Sequence, residues 1–345
     1  MSSMSSLQRV FTTLEHKEPD KIPFFLLVTV QGAKELGLSI KEYYSNGSNV
    51  VKGQILMREK YRTDCVNTIF YAAAGVEAFG GEITYYTDGF PNIAKPIIRE
   101  KEEIKKLTSP DVKESKSLER VLNAIGGLKD ELQDSAPIIG LVVSPFSIPI
   151  MQMGFDKYIE LIYEDKELFN TLMEINQEFC INYSNAQLEA GATMICYLDP
   201  VSSPTIISRE LYLETGFKIA KETFSKIKGP TGTHFSTGRV LPIIDDVAQT
   251  GTLILGAGSL EDLSELKNAC RNKITLLGNL NGNTMQNWTP EQAETIVKDA
   301  IAKAGPGGGF ILANHLTIPF HVPEKVMLSI SDSVEKWGKY PLEIG

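Results

Sequence analysis

Residues 194–238, MICYLDPVSSPTIISRELYLETGFKIAKETFSKIKGPTGTHFSTG, carry the pattern on which the chain is built. It opens with a short apolar run ending in Asp199 and passes through a loop into a helical segment carrying Glu210 and Glu214. It closes on a second short run that ends at His234. Strand, helix, strand in that order is the unit of a parallel sheet covered by helices. The same alternation recurs along the chain, with candidate strands at 22–30, 64–70, 137–144, 193–199, 232–236, 252–256, 274–280 and 309–314. Helical segments at 40–61, 155–190 (long enough for two), 208–228, 260–272 and 291–304 separate them. The last is the most sharply bounded. Thr289 stands at its N-cap, Pro290 at its first position and Gln292 completes a capping box, while Gly305-Pro306-Gly307-Gly308-Gly309 stops it.

Eight such units predict a (β/α)8 barrel. An open doubly wound sheet has the same periodicity, but no GxGxxG or GxxxxGK[ST] follows an early strand. The segment at 82–98, EITYYTDGFPNIAKPII, predicts a small hairpin inserted after the second strand. With no repeat, linker or low-complexity tract, residues 1–345 are expected to form a single barrel domain with that one insertion.

Composition narrows the function. The 34 basic and 43 acidic residues give a net charge of −9 without a basic stripe, which argues against nucleic acid as the main partner. Four scattered cysteines (Cys65, Cys180, Cys196, Cys270) without a CxxC pair suit a reducing compartment, and a cytoplasmic protein is expected. The beginning of the chain has no secretory pattern, and the most apolar run, 137–151, is short and broken by prolines, so no membrane span is expected.

In a barrel the site belongs at the C-terminal strand ends. Those ends carry Tyr71, Tyr197, Asp199, His234, Asn279, Asn314 and His315. Asp199, Glu214 and His234 supply two oxygen donors and one nitrogen, a donor set suited to zinc, with Glu210 the substitute one turn away. Tyr71, Tyr197, Asn279, Asn314 and His315 are the expected substrate contacts. The plain alternatives are a core histidine at 234, a solvated Glu214 and an Asp199 that only ends its strand. Cys196 reads as an inert core thiol, His321 as structural and His16 as surface.

The ordered set RVFTTLEHKEPDKIPF (9–24), AFGGEITYYTDGFPNIAKPII (78–98), KLTSPD (106–111), THFSTG (233–238), GNLNG (278–282) and GGGFILANHLTIPFHVPEKVM (307–327) resembles the uroporphyrinogen decarboxylase superfamily, in particular its corrinoid methyltransferase branch. The resemblance covers nearly the whole chain and implies the (β/α)8 barrel. The decarboxylases carry an arginine-rich segment after the first strand and an aspartate after the second, where this chain has VTVQGAKELG and NTIFYAAAG. Decarboxylation of a tetracarboxylate is therefore not expected. The coenzyme M methyltransferases bind zinc through His-x-Cys and a later Cys, and here Ser236 and Leu316 stand at the cysteine positions.

The methyltransferase components of aromatic O-demethylases use Glu, fourteen residues, Glu, twenty residues, His. Asp199, Glu214 and His234 match this with one Glu-to-Asp change and nineteen residues in the second gap. That resemblance implies zinc held by Asp199, Glu214 and His234, with His234 and Glu214 at the centre of catalysis. It also implies methyl transfer from a small-molecule methyl ether to the cob(I)alamin of a corrinoid protein, in an anaerobic organism. The alternatives are transfer from a methylcorrinoid protein to tetrahydrofolate or a thiol, and a non-catalytic ligand-binding barrel that has lost its metal.

Overall fold

The structure is a computed structural model and describes residues 4–68, 70–315 and 317–343. Ten strands occur in chain order: β1 (Phe24–Phe25), β2 (Val66–Asn67), β3 (Ile83–Thr84), β4 (Asn92–Ile93), β5 (Ile138–Val143), β6 (Met194–Leu198), β7 (Thr231–His234), β8 (Ile254–Gly256), β9 (Thr275–Leu280) and β10 (Phe310–Asn314). Eight form one parallel sheet in the order β1-β10-β9-β8-β7-β6-β5-β2. The seam between β1 and β2 is bridged by the Asp64 N–H, which donates to the Phe24 carbonyl at 2.7 Å. The side-chain amides of Gln54 and Asn67 add to it, both donating to the Val28 carbonyl. The result is the expected (β/α)8 barrel. The remaining pair, β3 and β4, is antiparallel and forms the hairpin expected within 82–98.

Each of the eight candidate strands lies in the sheet. The strongest, β5, reads IIGLVV and is buried along almost its whole length, as a strand covered on both faces must be. Two helical segments divide where one run was expected. Asn46 is extended (φ −140°, ψ 127°), ends the helix Ile40–Ser45 and caps the helix Gly47–Tyr61 by accepting from the Ser48 N–H. Thr215 similarly separates Arg209–Glu214 from Gly216–Lys226. The capping box at Thr289 and Gln292 is formed.

The bottom of the barrel is closed by the helix Ser6–Leu14. Its Val10 packs on Phe25, Cys65, Ile139, Met194, Ile254 and Ile311, one interior layer drawn from strands all around the barrel. Arg9 fixes this plug through ion pairs to Asp64 at 2.5 Å and Asp20 at 2.7 Å. Above that layer the interior is not filled by side chains, and the space continues to the C-terminal strand ends.

Among the described residues no helix is long and apolar enough to cross a membrane.

Candidate active site

A cavity of about 450 Å³ occupies the upper barrel interior. Its walls come from alternate residues of the strands, since side chains in a strand point in turn to opposite faces. From β6 these are Met194, Cys196 and Leu198; from β7, Gly232 and His234; from β8, Ile254 and Gly256. The glycines leave room that side chains would otherwise take. The mouth is framed by Tyr71 and Ala72 after β2, Phe90, Pro91 and Asn92 of the hairpin, Met151 after β5, and His315 and Thr317 after β10. Among the described residues no Asp, Glu, Lys or Arg lines the cavity.

His234 ends β7 and is 9% exposed. Its Nδ1 accepts the Ser236 N–H at 2.9 Å, and Ser236 holds the left-handed conformation (φ 59°) that turns the amide back toward the ring. With Nδ1 used as an acceptor, the proton of the neutral ring sits on Nε2. Burial, and next the nearby His315, push its pKa from 6.5 down to about 4, so the ring is uncharged at neutral pH. The imidazole packs against Gly256, where an added Cβ would stand 2.2 Å from the ring Cδ2. Glycine at 256 is what makes room for it.

His315 is the complement. Its Nδ1 lies 3.0 Å from the Leu280 carbonyl, which can only accept, so Nδ1 carries the proton and Nε2 keeps its lone pair. Burial lowers its pKa as well. Two neutral histidines of opposite tautomer thus line one uncharged cavity, one offering an N–H at Nε2 and the other a lone pair.

The expected zinc triad is not assembled. Asp199 is 1% exposed and does not line the cavity. It lies past the end of β6 under the helix layer, where Oδ1 accepts from the Ser144 and Ser147 hydroxyls at 2.5 and 2.7 Å. Burial raises its pKa, and the serine hydroxyls oppose that shift. Glu214 is exposed at the end of the helix Arg209–Glu214, and the alternative Glu210 is exposed on the same helix. His234 presents a protonated Nε2, so a metal there would require the Ser236 bond to break. Among the described residues no three His, Cys, Asp or Glu side chains group as a metal ion would need. Leu316, at the position of the second family cysteine, lies outside the described residues. The donor set does not fit zinc.

The expected substrate contacts divide. His315 lines the cavity, and so does the ring of Tyr71, whose hydroxyl is occupied by a hydrogen bond donated to Glu77. Asn314 reaches the lining while its Oδ1 accepts from the Leu27 N–H at 2.8 Å, tying β10 to the segment after β1. Tyr197 is a correction. It lies on the outer face of β6, fully buried, edge-on to Phe224 at 4.7 Å. Asn279 is another: its amide donates to the Gly258 and Glu261 carbonyls, organising the loop after β8.

Cys196, read as a core thiol, faces the cavity instead, with its pKa pushed up to about 12 by burial. Gly232 and Gly256 are the wall residues that sequence reasoning missed. The signal available for them was a glycine two residues before a strand-end histidine and another ending the next strand.

The comparisons agree with this architecture. The uroporphyrinogen decarboxylase (URO-D) family model matches residues 5–337. A uroporphyrinogen decarboxylase of Actinobacillus pleuropneumoniae is 23% identical over 76% of this chain and 76% of its own length. The methylcobamide:CoM methyltransferase MtaA of Methanosarcina barkeri is 26% identical over 81% of this chain and 84% of its own. A solved structure titled as a methyltransferase from Methanosarcina mazei superposes with a TM-score of 0.86 at 21% identity, covering 97% of this chain and 99% of that one. With a model that spans nearly its whole length and a barrel of matching architecture, this chain belongs to the uroporphyrinogen decarboxylase (URO-D) family.

Proposed function

We propose that the protein is a corrinoid-dependent methyltransferase that removes a methyl group from a neutral, largely apolar methyl ether, a methoxylated aromatic by class, and passes it to the corrinoid of a partner protein. The single observation that carries this is the uncharged cavity of about 450 Å³ with one donor and one acceptor imidazole at its rim. A tetracarboxylate would need cations to hold it, and a sulfonated thiol would need at least one, yet among the described residues the lining has no Lys or Arg. A ring with a methoxy group suits both the volume and the walls.

The difficult part of ether cleavage is the oxygen, which leaves with the electron pair of the broken methyl–oxygen bond. His234 offers its Nε2–H to that oxygen. Because the ring is neutral it stabilises the oxyanion by a hydrogen bond without surrendering its proton, and the apolar walls strengthen the bond by excluding water. His315 accepts a donor of the substrate at Nε2 and orients it. The apolar walls, Phe25 and Leu277 among them, would hold the ring with its methyl group toward the mouth. The partner's corrinoid would supply the nucleophile that takes the methyl group. No step is assigned to zinc, since Asp199 and Glu214 do not reach the cavity.

The test is incubation with cob(I)alamin and a panel of neutral and carboxylated methoxyarenes, followed by the methylcobalamin spectrum. Turnover of the neutral members is expected. A second reading, methyl transfer from a methylcorrinoid protein to an acceptor, draws support from the methylcobamide:CoM methyltransferase relatives. Turnover with only methyltetrahydrofolate or a thiol would overturn the first reading in its favour.

A further inference from the structure

A second cavity, of about 400 Å³, lies at the opposite end of the barrel. It is lined by three segments that each precede a strand: His16 ahead of β1, Lys267, Cys270, Arg271 and Asn272 at the end of the helix Leu263–Cys270 and just past it ahead of β9, and Pro306 to Gly309 ahead of β10. Among the described residues its lining contains His16, Lys267 and Arg271 and no acidic residue, in a chain whose net charge is −9, with Glu18 beside it on the Gly307 amide.

Lys267 is the unusual member. It is 7% exposed, and its ammonium donates to the Gly308 carbonyl. Among the described residues it has no carboxylate within ion-pairing distance. An ammonium has three donors, so two remain. Burial of a cation is costly, the nearby Glu18 offsets that cost only in part, and the Lys267 pKa is pushed by burial down to about 8. Among the described residues Arg271 forms no ion pair either, and its side chain donates a long hydrogen bond to Asn268 at 3.4 Å.

The backbone adds to this. Gly307, Gly308 and Gly309 all hold left-handed conformations (φ 79°, 67° and 63°). A Cβ at 308 would stand 2.4 Å from the Lys17 carbonyl, and one at 309 would stand 2.5 Å from His16 Nδ1, so only glycine fits either place. The Gly307 N–H is taken by Glu18, whereas those of Gly308 and Gly309 meet no protein acceptor among the described residues. Consecutive amides in such a turn form an anion-binding concavity.

We propose that this cavity is a binding site for a phosphoryl group, held by Lys267, Arg271 and the amides of Gly308 and Gly309. The multiple acceptor oxygens of a phosphoryl group match that number of donors, and the volume admits either the free ion or the phosphoryl end of a small organic phosphate. The site is separate from the upper cavity, with which it shares no lining residue.

The experiment is calorimetric titration of the full chain at constant ionic strength with orthophosphate, with ribose 5-phosphate and with chloride. Saturable binding of the phosphates but not chloride is expected, weakened about tenfold or more by Lys267→Met and by Arg271→Gln. It should be unchanged in Lys273→Gln, whose ammonium pairs with Asp245 outside the cavity. Tighter binding of ribose 5-phosphate than of orthophosphate would support the site and identify an organic phosphate; equal binding would support it as a site for the free ion. Absence of saturable binding for both, or equal binding by all variants, would overturn the proposal. Arg271 is exposed, so its variant keeps the test decisive should Lys267→Met fail to fold. If Lys267 only pins the Gly308 carbonyl, its loss lowers stability without any phosphate dependence.

Discussion

The inner and outer faces of β6 and β7 are built from neighbouring residues and have opposite fates. On the inside, Cys196, Leu198 and His234 border an open, uncharged cavity where polar atoms are kept available. Outside, Tyr197 and Asp199 are sealed beneath the helices, with the carboxyl group consumed by Ser144 and Ser147. An acid one residue from a cavity wall can therefore be entirely structural. What separates a chemical group from a structural one here is the parity of its position in the strand, since a shift of one residue moves a side chain across the sheet.

Four experiments test that contrast. The largest effect is expected for His234→Phe, which keeps a flat ring over Gly256 but removes the donor. The rate of methylcobalamin formation should fall about 10²–10³-fold while the urea midpoint at pH 7 stays close to that of the parent protein. An unchanged rate would remove the inner face from the chemistry.

Next is pH. The folded His234 takes a proton only near pH 4, whereas the unfolded one takes it near 6.5. The unfolded state therefore binds more protons in that window, and stability falls as pH drops from about 6.5, the full loss being reached near 4. The shift corresponds to about 3 kcal/mol. His315 acts in the same direction. Urea unfolding at pH 7 and pH 4 should show this slope, reduced in His234→Phe; an equal slope in the variant would contradict the buried neutral ring.

Asp199→Ala tests the outer face. It strands the Ser144 and Ser147 hydroxyls and should cost about 2 kcal/mol of stability, with the rate per folded molecule retained. A rate collapse without destabilisation would restore Asp199 to the site. The smallest effect is expected for Glu214→Gln. This exposed change should shift stability by no more than about 0.5 kcal/mol, and zinc content after chelator-free purification should match the parent. Loss of bound zinc in this variant would revive the triad.

Much of the fold was legible because its signals are local and repeated. Eight apolar runs at βα spacing, the capping box at Thr289 and Gln292, and the turn-rich hairpin segment all state their structure within a few residues. The site was legible only in part. His234 and His315 could be placed at strand ends, but β6 is apolar on both faces, as a strand buried between barrel and helices must be. MICYL therefore gives no alternation from which to tell that Leu198 faces inward and Asp199 does not. The spacing that links Asp199, Glu214 and His234 measures distance along the chain. Exposure of Glu214 depends on where Thr215 interrupts its helix and on how that helix turns against its neighbours, neither of which a residue count encodes. The tautomers were equally out of reach, because they are set by the Ser236 amide and the Leu280 carbonyl, one local and one brought in from β9.

The contact between His234 and Gly256 has a consequence for descent. With 2.2 Å between the ring and any would-be Cβ, the two positions cannot drift independently. A lineage that replaces the glycine first loses the seat of its imidazole, whereas one that replaces the histidine first frees position 256 to vary. Substitutions should thus accumulate in that order, and a glycine aligned with 256 would mark the descendants that still carry the ring.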